Sequence, residues 1–122
     1  MTRSIRIANV NRTVEPIYAR YCDTFLAQLR GFTFHSHLPP TEGLVLVGKR
    51  DSRLDSSIHM LFVFFDLSVI WIDSEMTVVD KVLAKAWRPA YFSKAPAKFV
   101  LEVHPDRWND FEIGDVLEFN NA

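Results

Sequence analysis

The sequence carries one cysteine, four glycines and no long apolar run, and each shortage removes a class of protein. Cys22 alone closes no internal disulfide, which fits a reducing compartment. With so few glycines there is no glycine-rich phosphate loop, and neither a Gly-x-Ser-x-Gly elbow nor a zinc-protease helix is present. An excess of one charge is missing too: 14 basic and 15 acidic side chains leave a net charge of −1. Attraction toward nucleic acid or an anionic membrane therefore has no visible source, and neither partner is expected. No apolar stretch reaches the roughly 20 residues that span a bilayer. Residues 1–12 place charge inside what would be the apolar part of a signal peptide. A cytoplasmic protein is the expectation, and the glycosylation pattern Asn11-Arg12-Thr13 is set aside for want of an export signal.

What the chain does have is apolar patterning. At 122 residues it reads as one domain, residues 1–122, able to bury roughly two-thirds of its unfolded surface without a metal or disulfide. Residues 56–73 form the longest nearly charge-free run, rich in β-branched and aromatic side chains such as Ile58, Phe62, Val63, Val69, Ile70 and Trp71. Asp66 and Ser68 interrupt it, which predicts two successive strands, central to a sheet and covered on both faces.

Around that pair the elements follow in order. Ile5 and Ile7 mark a first strand at 4–10. Residues 16–29 carry a helical stripe with Pro16 at its start, while Asp23 as an N-cap offers a strand at 17–21 and a helix only over 24–30. Gly31 ends the helix on either reading. A short strand at 44–47 is closed by Gly48, and 49–56 reads as an exposed loop. Residues 73–76 turn a hairpin into a strand at 77–83. Residues 84–97 read as an irregular loop packed down by Trp87, Tyr91 and Phe92, ahead of a strand at 99–103, a helical turn at 105–109 and a last strand at 115–119. The predicted fold is mainly β with one or two short helices (α+β by content), arranged as a mainly antiparallel β-sandwich or partial barrel.

One ordered series of fragments is more specific than the patterning. Asp23-Thr24-Phe25, Leu29-Arg30-Gly31-Phe32, Leu38-Pro39, Glu42-Gly43-Leu44, Ser57-Ile58-His59, Trp71-Ile72-Asp73, Val100-Leu101-Glu102 and Gly114-Asp115 together resemble the bacterial and archaeal family called domain of unknown function 192. The resemblance spans about Ile5 to Phe119 and implies a compact β-rich domain of jelly-roll type with a short helix ahead of Arg30-Gly31, which favours the shorter helix. It implies no activity. Where relatives carry a basic residue and, further on, an aspartate, this chain has Phe64 and Ser68. A buried charge stripped of its partner costs about 3–5 kcal/mol, whereas losing a whole pair is far cheaper. The double absence therefore points to a charge pair in the relatives that this chain lacks.

His59 is the polar side chain most out of place, set between Ile58 and Met60 with Ser57 on the same strand face. Two readings compete: a ligand contact or proton donor oriented by Glu102, and a core histidine satisfied by a backbone carbonyl. His35 and His37 are metal-ligand types at alternate positions, but no third ligand is placed, and no metal or cofactor is expected. His104 reads as the cap of a strand end and Cys22 as apolar filler. Trp87, Tyr91 and Phe92 with Arg88 read as a loop closed on the core, the competing reading being a stacking platform for a sugar or base. Arg30 sits in the last turn ahead of Gly31, and Asp115 opens the final strand.

These readings converge on a non-catalytic binding module for a small molecule or protein partner, its pocket lined by Ser57, His59 and Glu102 with Arg30 at the edge. The alternatives are a hydrolytic enzyme with His59 as general base, and a structural module in a homodimer.

Overall fold

The computed structural model describes residues 3–23 and 37–122. The expected helix at 24–30, with Arg30, Gly31 and His35, lies outside the described residues. Seven strands form one sheet: β1 (Arg3–Asn9), β2 (Ile17–Cys22), β3 (Glu42–Ser52), β4 (Leu67–Ile72), β5 (Val78–Ala84), β6 (Ala97–Val103) and β7 (Leu117–Asn121). Their order is β5-β4-β6-β3-β2-β1-β7. All neighbouring pairs are antiparallel except β2 with β3, so the sheet is mixed. The parallel pair holds Gly43 where a β-carbon would lie 2.7 Å from the Glu102 carbonyl oxygen and 2.9 Å from Val103 Cγ1. Only glycine fits that approach of β3 to β6.

The sheet curls until its two edges meet at one end. Thr77, just ahead of β5, bridges Val116, just ahead of β7. The Leu117 amide donates to the Met76 carbonyl at 2.9 Å and the Val78 amide to the Asp115 carbonyl at 2.8 Å. The result is a half-barrel, which is the partial-barrel alternative of the sequence reading.

Alternation divides the apolar side chains between two faces. Ile5, Ile7, Ile17, Ala19, Val45, Ile70, Ile72, Leu101, Val103 and Leu117 pack inside the curl with Phe111. Leu44, Leu67, Val69, Trp71 and Val100 pack on the outer face, beneath Leu38, Ile58, Met60, Val63 and Tyr91 from the loops. Every residue of β4 is buried, Ser68 included, as befits a strand covered on both faces.

Only the last third of the 56–73 run is strand. Residues 58–65 form an irregular segment with a single bridge, Ile58 to Tyr91, so the expected strand before Asp66 is absent. Its backbone pairs instead with the 85–91 loop: the Met60 amide donates to the Arg88 carbonyl at 2.8 Å, and the Trp87 amide to the Met60 carbonyl at 2.8 Å. Ile58, Met60 and Val63 turn inward while Leu61, Phe62 and Phe64 stay exposed, so tertiary pairing overrides strand propensity here. Two further anchors fasten the loops to the outer face. Trp71 Nε1 donates to the Ser56 carbonyl at 2.8 Å, and the buried Asp80 carboxylate accepts from the Lys94 amide at 2.8 Å. Gly48 does not close β3; the strand runs on to Ser52 through a register shift against β6 after Val47.

Candidate functional site

Glu102 is the group that the fold treats most unusually. It lies on β6 between Leu101 and Val103, whose side chains fill the inner core, so its own carboxyl projects onto the outer face. There it sits in register with Leu44 of β3 and Val69 of β4, two fully buried aliphatic residues. It is 5% exposed. No hydrogen bond or ion pair reaches its carboxyl among the described residues, and burial alone pushes its pKa up to about 7. A carboxyl held this way is poised between neutral and charged at physiological pH, a condition that clusters at functional sites. The neighbouring Cys22 thiol is pushed up as well, mainly by burial, with Arg20 opposing and the Glu102 charge adding. A protonated, buried thiol is no nucleophile.

Two residues beyond Glu102, with the backbone still extended (φ −56°, ψ 144°), His104 reaches the wall of a hollow of about 220 Å³. The other walls are His37, Leu38, Phe65, Asp66 and Pro105. His104 Nδ1 accepts the Asp106 amide at 3.0 Å, capping the short 3-10 helix Pro105–Asp110. In the neutral imidazole this leaves the proton on Nε2, where it is available as a donor. Asp66 is half tied down, one oxygen accepting the Ala86 amide at 2.9 Å and the other 3.4 Å from Lys85 Nζ. The hollow thus combines an apolar floor with two imidazoles and a carboxylate, and Glu102 lies just along the strand.

Of the four residues named from the sequence, Ser57, His59 and Glu102 lie among the described residues, and no hydrogen bond joins them there. His59 is exposed in the irregular segment and makes no hydrogen bond to Glu102, because the strand that would have carried it does not form. Ser57 is half-buried beside it, and Arg30 is outside the described residues. His104 caps the start of the 3-10 helix rather than a strand end, and it also faces the hollow. Among the described residues no group of three or more potential ligands is placed to hold a metal. Phe64 is exposed against Trp87, and Ser68 is buried, donating to the Pro105 carbonyl at 3.3 Å. The sequence did carry one signal for the hollow: Asp66 breaks an apolar run, and His104 continues the alternation begun by Val100 and Glu102.

Two buried polar centres are structural. Asp115 is pulled down to a pKa of about 2, chiefly by the Arg12 guanidinium at 2.6 Å, helped by Asn9 Nδ2 and the Glu112 amide. Arg107 bonds the Asp110 carboxylate and the backbone carbonyls of Pro40 and Glu15. Each set reaches distant parts of the chain, Arg12 and Asn9 for Asp115 and the Pro40 and Glu15 carbonyls for Arg107, which no local pattern announces.

The sequence pattern of the DUF192 family, described as "Uncharacterized ACR", matches residues 6–119. This chain belongs to that family. Among curated relatives of the DUF192 domain, a UPF0127 protein of Thermococcus gammatolerans is 36% identical over 105 residues, covering 84% of this chain and 67% of the relative. One from Thermococcus kodakarensis is 36% identical over 102 residues, covering 82% of this chain and 63% of the relative. In Pyrococcus furiosus the figures are 33% over 106 residues, 85% and 88%. The domain thus spans about two-thirds of the Thermococcus proteins. A crystal structure from Sinorhizobium meliloti, named as a candidate transcription regulator, superposes with a TM-score of 0.82 over 98% of this chain and 94% of that one, at 15% identity. A protein of unknown function from Novosphingobium aromaticivorans superposes with a TM-score of 0.79 over 96% and 84%, also at 15% identity. Likeness at that identity shows the DUF192 fold alone.

Proposed function

We propose that this domain binds a small polar molecule in the outer-face hollow walled by His37, Leu38, Phe65, Asp66, His104 and Pro105, with Glu102 as the buried polar anchor. The observation that carries this reading is Glu102 itself: a carboxyl 5% exposed, with no donor among the described residues, two residues along the strand from His104, which lines the hollow. Desolvating a carboxyl carries a cost, and groups shifted this way cluster at functional sites. A molecule that brings a hydroxyl, amide or amine to Glu102 removes it directly. At about 220 Å³ the hollow is smaller than the roughly 300–1,000 Å³ typical of drug-sized ligands, so the occupant is of metabolite size. The binding is non-catalytic on this reading, since among the described residues no activated nucleophile lines the hollow and the Cys22 thiol is held protonated.

A thermal-shift screen of metabolites, sugars, nucleotides and divalent cations against the wild type, Glu102→Gln and Asp66→Asn tests the reading. A ligand at 100 times its Kd adds about 2.7 kcal/mol, which raises the midpoint of a domain this size by roughly 10 °C. The reading expects a hit that shrinks in both variants. A hit of full size in both variants would remove the site from this hollow.

A further inference from the structure

Two paired loops lift an aromatic ridge off the outer face. Leu61, Phe62, Phe64 and Trp87 are each between 41% and 51% exposed. Trp87 stands at the centre, its ring 5.0 Å from Phe62 and 5.6 Å from Phe64 in edge-on contacts. Phe62 and Trp87 both hold left-handed backbone, at φ 60° and φ 68°. That conformation is strained for bulky side chains and persists where the surroundings over-determine it. Here the surroundings do so: Ile58, Met60 and Val63 are buried beneath the ridge, and the Met60, Trp87 and Arg88 backbones are bonded to one another. The fold therefore spends backbone strain on presenting large apolar groups at the crests of two turns.

The charge carried by the two ridge loops leans positive. Residues 84–97 contain Lys85, Arg88 and Lys94 and no carboxylate. Residues 53–66 contain Arg53, Asp55 and Asp66, so the two loops together carry three plus one cations against two carboxylates, a net of +2 in a chain whose total is −1. Arg88 is exposed directly beside Trp87, and Lys85 is largely exposed while it leans on Asp66. Two such faces repel each other, which argues against a second copy of this chain as the occupant. A surface that is both anionic and apolar is the complement. Tryptophan and phenylalanine at turn crests with cations at their base match the interfacial layer of a bilayer, where aromatic rings sit among headgroups and basic side chains meet anionic lipid.

We infer that the ridge of Leu61, Phe62, Phe64 and Trp87 seats this domain on an anionic membrane surface. The test is co-sedimentation with vesicles of phosphatidylcholine alone and of phosphatidylcholine with about one-third phosphatidylglycerol, alongside quenching of tryptophan fluorescence by brominated lipid in the unmodified protein. Binding to the anionic vesicles only, with lipid quenching, is expected, falling about tenfold or more in the double variant Phe64→Ala, Trp87→Ala and falling with Arg88→Glu or added salt. Because quenching is read on the wild type, misfolding of a variant cannot imitate failure. Absence of quenching in anionic vesicles, binding unchanged in the double variant, or concentration-dependent self-association lost in that variant would overturn the proposal.

Discussion

Glu102 shows what one position can cost a sheet. Its two strand neighbours in register are Leu44 and Val69, so the carboxyl has aliphatic side chains where a buried charge needs donors. With its pKa raised from 4.5 to about 7, the folded state holds a proton that the unfolded chain releases between those pH values. Stability is then fullest below about pH 4.5 and declines as pH rises through 7, by on the order of 2–3 kcal/mol. Glu102→Gln removes the ionisation, so chemical denaturation should show the variant and wild type alike near pH 5 and the variant more stable by roughly 2 kcal/mol at pH 8. Equal pH dependence in the two proteins would mean that Glu102 is not the group responsible. The sequence placed Glu102 on a strand and among the candidate residues. It did not reveal the missing donor, because that depends on which strands flank β6, and strand order is not written in alternation. His59 illustrates the opposite case: its apolar neighbours read as a strand, yet the segment closes against Arg88 and Tyr91 instead, and the side chain ends in solvent.

At the scale of elements, the strands were legible and the fastenings were not. The apolar side chains from Val69 to Ile72 mark β4 as a central strand, Phe99 to Val103 mark β6, and Ile5 with Ile7 mark β1, since a period of two survives any rearrangement of neighbours. The end of the curl is closed by something else. Asp115 draws together Asn9 at the end of β1, Arg12 from the connection after it and the Glu112 amide ahead of β7, in a turn where Gly114 takes φ 98°. A carboxyl lowered to about 2 contributes stability that is present above about pH 3.8 and is lost as pH falls through 2. Asp115→Ala should cost about 2–3 kcal/mol at pH 7, because it leaves Asn9 and the Glu112 amide without their acceptor, and the gap to wild type should close in strong acid. Urea melts at pH 7 and pH 2 would show this; a cost independent of pH would assign the loss to packing. In the sequence Asp115 reads only as the residue opening a strand, since Asn9 and Arg12 lie about a hundred residues away.

For the whole molecule, the two shifted carboxyls oppose each other. Asp115 removes stability below its range and Glu102 removes it above, which places the optimum near pH 4–5 in the absence of ligand. From neutral pH upward Glu102 withholds the most stability, so a partner that satisfies its carboxyl has most to add there, which is the physical content of the proposed binding role. The balanced overall charge hid the other feature of the assembled molecule: loops 53–66 and 84–97 are separated in sequence, and only folding adds their charges and aromatic side chains into one ridge. Relatives from Thermococcus and Pyrococcus share the family, and the superposed crystal structures share the half-barrel, but the site has to be argued from this chain's own residues. The most direct measurement is therefore the titration of the Glu102 side-chain carboxyl by carbon-13 NMR in the unliganded protein. A midpoint of about 7 is the expected result and confirms a buried carboxyl held without a donor; a midpoint near the ordinary 4.5 would mean that water or a partner already satisfies Glu102, and the proposed site would lose its anchor.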